Sequence, residues 1–226
     1  TWDWSTAGKL DESGEPLQQR VDGNLVYHGK RGTFSYAENA EPEYIWFNGE
    51  VRYLLLNEKA VVNEDGYVPI NDFGGSPDDG KSRIWPVKVF RGVQPYDPLM
   101  GTMVVPHTTG LNEDAYWKNF DWEKAITAGM LSAGQPFSGK VDFIKTQMSW
   151  PINHMVAPAE NAVGCDECHS KHGRLKDIEG IYIPSRDASV RLDTAGWLIA
   201  LLTLIGVALH GLGRIVSYLW SKRPCP

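Results

Sequence analysis

The sequence predicts an α+β, loop-rich exported domain followed by one C-terminal transmembrane helix. The 226 residues include 23 Gly, 14 Pro, 9 Trp, 9 Tyr and 7 Phe, a mixture typical of irregular backbone packed around large flat side chains. Short strand-like runs fill the first half, and apolar residues at helical spacing follow from residue 112. A run of 20 residues without formal charge then lies close to the C-terminus.

The composition limits what the chain can do. A formal net charge of −6 argues against general binding to nucleic acid. Three cysteines allow at most one disulfide, so the chain is not a disulfide scaffold. The sequence begins at Thr1 without a signal peptide, from which we expect either a removed leader or the downstream part of a longer protein.

Residues 1–110 are predicted to form an irregular exported region that is rich in β-structure and loops. Strand-like runs at residues 51–56 and 83–91 are separated by clusters of turn-forming residues. One such cluster, NDFGGSPDDG at residues 71–80, predicts a surface loop.

Residues 111–192 are predicted to be mainly helical. Asn112 is a candidate N-cap, and apolar side chains recur at helical spacing after it. A second helix is predicted over residues 141–150, ending before a proline. Pro158 is well placed to open a short third helix that leads into Cys165.

Residues 193–220 are predicted to form a transmembrane helix, and residues 221–226 a cytoplasmic tail. The uncharged run, residues 194–213, spans about 30 Å, the thickness of a bilayer's hydrocarbon core. Three basic residues cluster on its C-terminal side: Arg214, Lys222 and Arg223. The positive-inside rule therefore predicts a single pass through a bacterial cytoplasmic membrane, with residues 1–192 on the periplasmic side.

The motif CDECH at residues 165–169 predicts covalent attachment of one haem c. Two thiols on one helical turn can reach the two vinyl groups of a haem, and the adjacent imidazole can reach the iron. Cys165 and Cys168 would form the thioethers, and His169 would be an axial ligand. A zinc site would need about four protein ligands, and the sequence has no second cysteine pair.

A second axial ligand to the iron is expected among the exported histidines. His154 is the first candidate, since it lies 11 residues before Cys165 in a proline-flanked turn that could cross a haem face. His172 is too near the attachment turn to reach the opposite face of the same haem, although it could serve a propionate or a neighbouring haem. For His172 and His28 a surface or hydrogen-bonding role is the favoured interpretation, and His107 falls between these cases.

The flanking stretches resemble the membrane-associated octahaem cytochromes c of the tetrathionate reductase type. The similar stretches run the length of the exported part: WDWSTAG (2–8), PEYIWFNG (42–49), YWKNFDWEKAITAGM (116–130), MSWPINHMVAP (148–158), CDECHSKHGRL (165–175) and YIPSRD (182–187). Their ordered series is far more specific than C-x-x-C-H alone, which occurs in many unrelated cytochromes. The resemblance therefore predicts a multihaem-cytochrome-like fold.

The resemblance covers only the C-terminal part of that family's pattern. Most haem motifs of the family, and its substrate-binding haem, lie upstream of WDWSTAG. By resemblance, the 165–169 motif would bind the last haem, and His154 would be an axial ligand to that haem or to a neighbour. Ser149 and Ser185 stand where Tyr and Gly are expected, and neither departure touches a ligand.

The predicted function is electron transfer. The chain would be a membrane-anchored c-type cytochrome subunit that passes electrons between a separate multihaem polypeptide and the quinone or cytochrome b system, in contact with the partner's haems. Two alternatives stay open. The chain could belong to the catalytic unit of an octahaem oxidoreductase that reduces tetrathionate, nitrite or hydroxylamine, or it could be a structural anchor whose haem staples the fold.

The membrane helix carries a stripe that predicts an integral membrane partner of the cytochrome b kind. Small and polar residues recur at spacings of three or four: Gly196, Ala200, Thr203, Gly206, His210, Gly213 and Ser217. Small residues allow close approach of another helix. His210 is expected to line a quinone site or to donate a hydrogen bond across that interface, in preference to ligating a haem b.

Overall fold

The computed structural model describes residues 1–38, 40–153 and 158–222, which belong to two compact units. The sheet unit comprises Thr1–Ala162 with Ile178–Gly180. The tail unit comprises Val163–Asp177 and the chain from Ile181 onward. The functional division predicted at residues 110, 192 and 220 stays a prediction.

The sheet unit contains eleven strands and two α-helices within the described residues. The strands are β1 (Trp2–Asp3), β2 (Gln18–Val21), β3 (Asn24–His28), β4 (Gly32–Phe34), β5 (Glu43–Phe47), β6 (Glu50–Tyr53), β7 (Val68–Pro69), β8 (Asn71–Gly74), β9 (Arg83–Asp97), β10 (Thr102–Met103) and β11 (Asp142–Pro151). The helices are α1 (Tyr116–Asn119) and α2 (Trp122–Ser132). Two short 3-10 helices cover Trp4–Thr6 and Ala159–Asn161.

Strand β9 is the centre of the main sheet. It pairs in parallel with β1 and antiparallel with β5, β10 and β11. The main path of the sheet runs β2-β3-β4-β1-β9-β11-β7, while β6 and β8 form a separate two-stranded sheet. The predicted strand over residues 83–91 is therefore present, and it continues to Asp97 because partners are available along both of its edges.

The predicted helix over residues 141–150 is wrong, because this segment is strand β11. It pairs with β9 without a break from Asp142 opposite Tyr96 to Pro151 opposite Val87. Thr146 in its middle is fully buried and pairs with Gly92. A short mixed run of apolar and polar residues fits helical and strand periods about equally well, and the long partner strand decides between them.

The helix predicted from Asn112 is two helices, and Asn112 does not cap either of them. Phe120 adopts the left-handed conformation, with φ of 54°, and ends α1. Asp121 then begins α2, since its carboxylate accepts a hydrogen bond of 3.0 Å from the backbone N–H of Lys124. The turn between the helices is set by Asn119, whose side-chain oxygen accepts a hydrogen bond from the Asp121 N–H.

The predicted surface loop over residues 71–80 is only partly a loop. Residues 71–74 form β8, which pairs with β6. The loop proper follows, and the Asp79 carboxylate organises it by accepting hydrogen bonds from the backbone N–H groups of Lys81 and Ser82 and from the Ser82 hydroxyl. The Ser82 hydroxyl and then these backbone N–H groups hold the pKa of Asp79 well below its usual range.

The hydrophobic core of the sheet unit lies under α2. Val104, Ile126 and Met130 form its buried centre. Gly129 of α2 lies against the carbonyl oxygen of Val105, where a Cβ atom would fall inside van der Waals contact. Glycine at this position therefore allows α2 to approach the 103–107 segment closely.

A cluster of aromatic rings covers one end of this core. Trp122 stacks on Tyr116, with ring centroids 3.8 Å apart, and contacts Trp4 and Phe143 edge-on. Trp4 in turn stacks on Trp2 at 5.1 Å. Burial raises the pKa of the Tyr116 phenol, because the fully buried ring would have to carry its charge without solvent.

The tail unit consists of three helices within the described residues. They are α3 (Cys165–His169), α4 (Pro184–Asp187) and α5 (Val190–Ser221). The 32 residues of α5 correspond to about 48 Å of helix, and none of its described side chains is buried. By length and composition α5 could cross a membrane.

Candidate haem-attachment site

Helix α3 places the two motif cysteines and the motif histidine on one face. At about 100° per residue, Cys168 lies about 60° to one side of Cys165 and His169 lies about 40° to the other. Cys165 and His169 are exposed, Cys168 is half-buried, and both cysteines are free thiols. The front face of α3, defined by these three residues, is thus open to a large planar group.

The back face of α3 carries Glu167, about 200° from Cys165 around the helix. Its Oε1 accepts a hydrogen bond of 3.0 Å from the Gly164 N–H at the start of the helix. Its Oε2 accepts hydrogen bonds of 3.1 and 2.7 Å from Nε and Nη2 of Arg174. The Gly164 N–H, and after it the Arg174 guanidinium, hold the pKa of Glu167 below its usual range.

The segment after α3 folds back onto the end of the helix. The Arg174 N–H donates a hydrogen bond of 2.7 Å to the Glu167 carbonyl. Gly173 is buried beside this contact, and a Cβ atom there would lie 2.6 Å from the Glu167 oxygen and 3.0 Å from the Cys168 oxygen. Only glycine allows this close return of the backbone.

Helix α4 contacts the end of the motif through a hydroxyl. The Ser185 hydroxyl donates a hydrogen bond to the His169 carbonyl. Arg186 fixes α4 by donating to the carbonyl oxygens of Leu175, Lys176 and Ile181 at 2.8 to 3.2 Å. Arg186 therefore sets the position of Ser185, which precedes it in sequence.

The donor set fits a thioether-bound haem better than a protein-bound zinc ion. Within residues 1–38, 40–153 and 158–222, no group of three His, Cys, Asp or Glu side chains is arranged to hold a metal ion. The front face of α3 instead offers two free thiols and one imidazole within a single helical turn. This is the set that two vinyl groups and one iron atom require.

The structure describes His172 and His210 but not His154. His154 lies outside the described residues. His172 is exposed in the tail unit, in the turn after α3. His210 is exposed on α5.

His28 and His107 belong to the sheet unit, and hydrogen bonds fix both rings. His107 donates from Nε2 to the Asn112 side-chain oxygen at 2.9 Å. His28 accepts at Nδ1 a hydrogen bond of 3.1 Å from the Lys30 N–H. Burial, and then the charges of Arg31 and Lys30, lower the pKa of His28, so it is neutral near pH 7.

Sequence reasoning missed the residues that support the attachment turn. Glu167 in the third position of a short helix is a recognisable capping signal. The partners Arg174 and Ser185 give no comparable signal, because the loops that bring them back to α3 have no periodic pattern.

Comparisons with known proteins agree with this chemistry. A family model described as bacterial cytochrome c matches residues 1–172. The octaheme cytochrome c from Shewanella oneidensis has a similar structure, with a TM-score of 0.63 and 34% sequence identity. The similarity covers 76% of this chain but only 39% of that one, so this chain spans well under half of the relative's length. No curated protein sequence matches the chain.

Proposed function

Because the chain belongs to the bacterial cytochrome c family, we propose that it is a membrane-anchored electron-transfer subunit that passes electrons between a multihaem partner and the membrane quinone or cytochrome b system. Membership of that family implies covalently bound haem c. The observation that carries the proposal is the placement of Cys165, Cys168 and His169 on the open face of α3.

The chain's own residues would hold and orient the cofactor. Bound haem supplies a one-electron couple, while the protein sets its position and ligation. Cys165 and Cys168 would each contribute a thioether sulfur, and His169 would contribute an imidazole nitrogen to the iron. We propose one covalent haem for this chain, with His154 as the second axial ligand, and with His107 and His172 as weaker candidates for ligating or contacting a haem.

A separate multihaem cytochrome polypeptide is one of the two proposed partners. The relative from Shewanella oneidensis is described as octaheme, and this chain corresponds to 39% of its length. The ordered stretches from WDWSTAG to YIPSRD point to the tetrathionate reductase type and to its C-terminal part. We therefore propose that the partner supplies the remaining haems, some of which would contact this chain.

Helix α5 supports the membrane part of the proposal. It is long and apolar enough to span a bilayer, and Arg214 and Lys222 lie towards its C-terminal end, which we assign to the cytoplasmic side. The stripe of small and polar residues on α5 would pack against an integral membrane partner of the cytochrome b kind. His210 would line a quinone site or donate a hydrogen bond across that contact.

A second candidate function is participation in the catalytic unit of an octahaem oxidoreductase. The 34% identity to an octaheme cytochrome favours it, because the loops of the sheet unit could line a substrate-binding haem of the partner. The substrates would be tetrathionate, nitrite or hydroxylamine. Under this alternative the purified complex should reduce one of these compounds, and changes in this chain should alter turnover.

The proposal is tested on the complex purified from membranes. Mass spectrometry of this chain should show the mass of one covalent haem, and optical and electron paramagnetic resonance spectra should show a low-spin haem with two histidine ligands. Changing His154 to Met should raise the reduction potential, since Met/His ligation raises it relative to two imidazoles. An unmodified chain would refute the proposal, and an unchanged spectrum of the His154 variant would remove that residue as a ligand.

The membrane partner is tested separately by changing Gly206 and Gly213 to Leu. The larger side chains should release the partner in detergent, and changing His210 to Leu should slow electron exchange with quinone. A complex that stays intact and fully active after both changes would show that α5 is only an anchor.

A further inference from the structure

The main sheet carries a cleft, here called the sheet cleft, that crosses four neighbouring strands: β4, β1, β9 and β11. It lies over a row of three residues, since Asp3 of β1 pairs with Val93 of β9, and Val93 pairs with Lys145 of β11. Tyr67 and Arg91 also line it. The sheet cleft has a volume of about 180 Å³, and its lining is mainly apolar.

Arg91 is a firmly held cation of the sheet cleft. Its Nη2 lies 2.8 Å from Oε1 of Glu43, and its Nε donates a hydrogen bond of 3.1 Å to the side-chain oxygen of Gln147. Its guanidinium also lies over the Tyr67 ring, 5.9 Å from the ring centroid. Glu43 and Gln147 engage two of its five N–H donors. A guanidinium fixed in this way can bind a further carboxylate with little loss of side-chain freedom.

Lys145 is the second cation of the sheet cleft. Because Val93 pairs with Lys145, Arg91 and Lys145 are diagonal neighbours on one face of the sheet, about 7 to 8 Å apart at their Cα atoms. Lys145 is exposed, and within the described parts of the chain its ammonium group forms no hydrogen bond or ion pair. Lys145 is therefore a charge without a direct partner beside an apolar surface.

The two carboxylates near the sheet cleft are already engaged. Glu43 forms the ion pair with Arg91. Asp3 accepts hydrogen bonds at Oδ1 from the N–H and the hydroxyl of Ser5, at 2.9 and 2.5 Å. Neither carboxylate contacts Lys145, so an acidic group from outside the chain can approach this ammonium group.

We propose that the sheet cleft receives the edge of a haem that belongs to the multihaem partner, and that Arg91 and Lys145 bind its propionates. This inference rests on the proposed function. A haem edge combines a flat apolar ring with two carboxylates, which matches an apolar cleft that carries two cations on one face. The ring edge would lie against Val93 and Tyr67, and the carboxylates would form charge-assisted hydrogen bonds with the two cations.

Such a contact has a measurable electrostatic consequence. Reduction adds one electron to the haem, so a nearby positive charge stabilises the reduced state more than the oxidised state. Arg91 and Lys145 would therefore raise the reduction potential of the haem that they contact. The other haems of the partner, farther from the sheet cleft, would be affected much less because solvent and salt screen the interaction.

The test uses the complex of the full-length chain with its partner, purified from membranes. Lys145→Gln should lower the reduction potential of one haem of the partner in an optically monitored redox titration. Lys145→Arg keeps the charge and should keep the potential. Lys145→Gln should also lower, by about two- to fivefold, the amount of partner that stays bound to an affinity-tagged chain during salt washes, as loss of a solvent-accessible ion pair would.

Two further variants separate the contact from general effects. Arg91→Gln should lower the potential of the same haem, although it also removes the bond to Glu43 and can weaken the sheet. Lys88→Gln is the matched control. Lys88 is exposed on the same strand, but it lies three residues from Arg91 and therefore on the opposite face of the sheet. Its replacement should change neither the potentials nor the retention of the partner.

The outcomes are distinguishable. A natural chain that purifies without a haem-bearing partner would refute the proposed function itself. A haem-bearing complex in which Lys145→Gln leaves every potential unchanged would refute the role of the sheet cleft alone. An equal shift in Lys88→Gln would refute it as well, because the effect would then follow the net charge of the chain.

Discussion

At the residue scale, Cys165 and Cys168 differ in surroundings although they share a motif. Cys165 is exposed at the first position of α3, whereas Cys168 is half-buried near the returning segment. Both face the same side of the helix, as attachment to one haem requires. The third cysteine, Cys225, follows α5 in sequence and provides a natural control.

Replacing Cys165 and Cys168 with Ala should abolish covalent haem, because no thiol then remains on the front face of α3. Each single change should leave a one-thioether adduct at reduced yield. Haem staining after denaturing electrophoresis and intact-mass measurement would show this. Cys225→Ala should keep full attachment, and a loss in that variant would contradict the assignment.

Asp97 is a buried carboxylate of the sheet unit that is held by four hydrogen bonds. It is fully buried, and it accepts hydrogen bonds from the N–H groups of Leu99 and Met100 and from the N–H and hydroxyl of Ser138, at 2.7 to 3.0 Å. Burial by itself would raise the pKa of Asp97, but these hydrogen bonds outweigh it and the pKa is lowered. Asp97 thus joins the end of β9 to the loop before β11.

The lowered pKa of Asp97 predicts acid sensitivity with a definite sign. The carboxylate contributes stability above its unfolded pKa of about 3.9, and this contribution is lost as the pH falls towards the lower folded value. Asp97→Asn should cost about 2 to 3 kcal/mol at pH 7 and should flatten the pH dependence below pH 4. Urea unfolding at several pH values measures both effects, and Asp72→Asn on the exposed part of β8 should show neither.

At the element scale, some helices and strands of this chain can be predicted from the spacing of nearby residues, and others cannot. The attachment motif, the tail helix and the strand over residues 83–91 follow from spacing and composition alone. The strand character of β11 does not, because it depends on pairing with β9, which lies about fifty residues earlier. The break between α1 and α2 at Phe120 could not be predicted from the local pattern either. Apolar residues continue at helical spacing through Phe120, although this residue adopts the left-handed conformation.

Replacing Gly129 with Ala should lower the stability of the sheet unit, whereas the same replacement elsewhere in a helix usually raises stability. Gly→Ala within a helix normally stabilises by about 1 kcal/mol. Here the added methyl group would meet the Val105 carbonyl, so Gly129→Ala should instead destabilise the sheet unit by about 2 to 3 kcal/mol. Chemical unfolding measures the change. Leu131→Ala, at an 81% exposed position of α2, should have little effect, and an equal loss there would contradict the packing argument.

At the scale of the whole molecule, α5 is a long apolar helix at the C-terminal end of the tail unit. All its large apolar side chains are exposed within the described structure, including Leu202 and Ile205 at 66% and 45%. A helix of about 48 Å exceeds a hydrocarbon core of about 30 Å, so in a bilayer its ends would extend into the headgroup regions. Lys222 at the C-terminal end lies over the Tyr218 ring at 4.6 Å, an arrangement suited to that interface.

Membrane insertion of α5 should make the chain resist extraction by alkaline carbonate. Changing both Leu202 and Ile205 to Asp should release it into the soluble fraction, because each charge near the bilayer centre costs about 3 kcal/mol. Immunoblots of pellet and supernatant give the result. Leu131→Asp, at an exposed apolar position of the sheet unit, should leave the chain in the pellet; release of that variant would mean that α5 is not the anchor.

The topology of the main sheet also fixes an order of events during folding. Strand β9 needs partners from both ends of the sheet unit, since Trp2 pairs with Gly92 and Pro151 pairs with Val87. Such high contact order makes folding slow, and the sheet cannot close until the chain has emerged as far as residue 151. The motif cysteines emerge only about fourteen residues later. All strands of the main sheet therefore precede the motif cysteines in the chain, so pairing of the sheet does not have to wait for those cysteines to emerge.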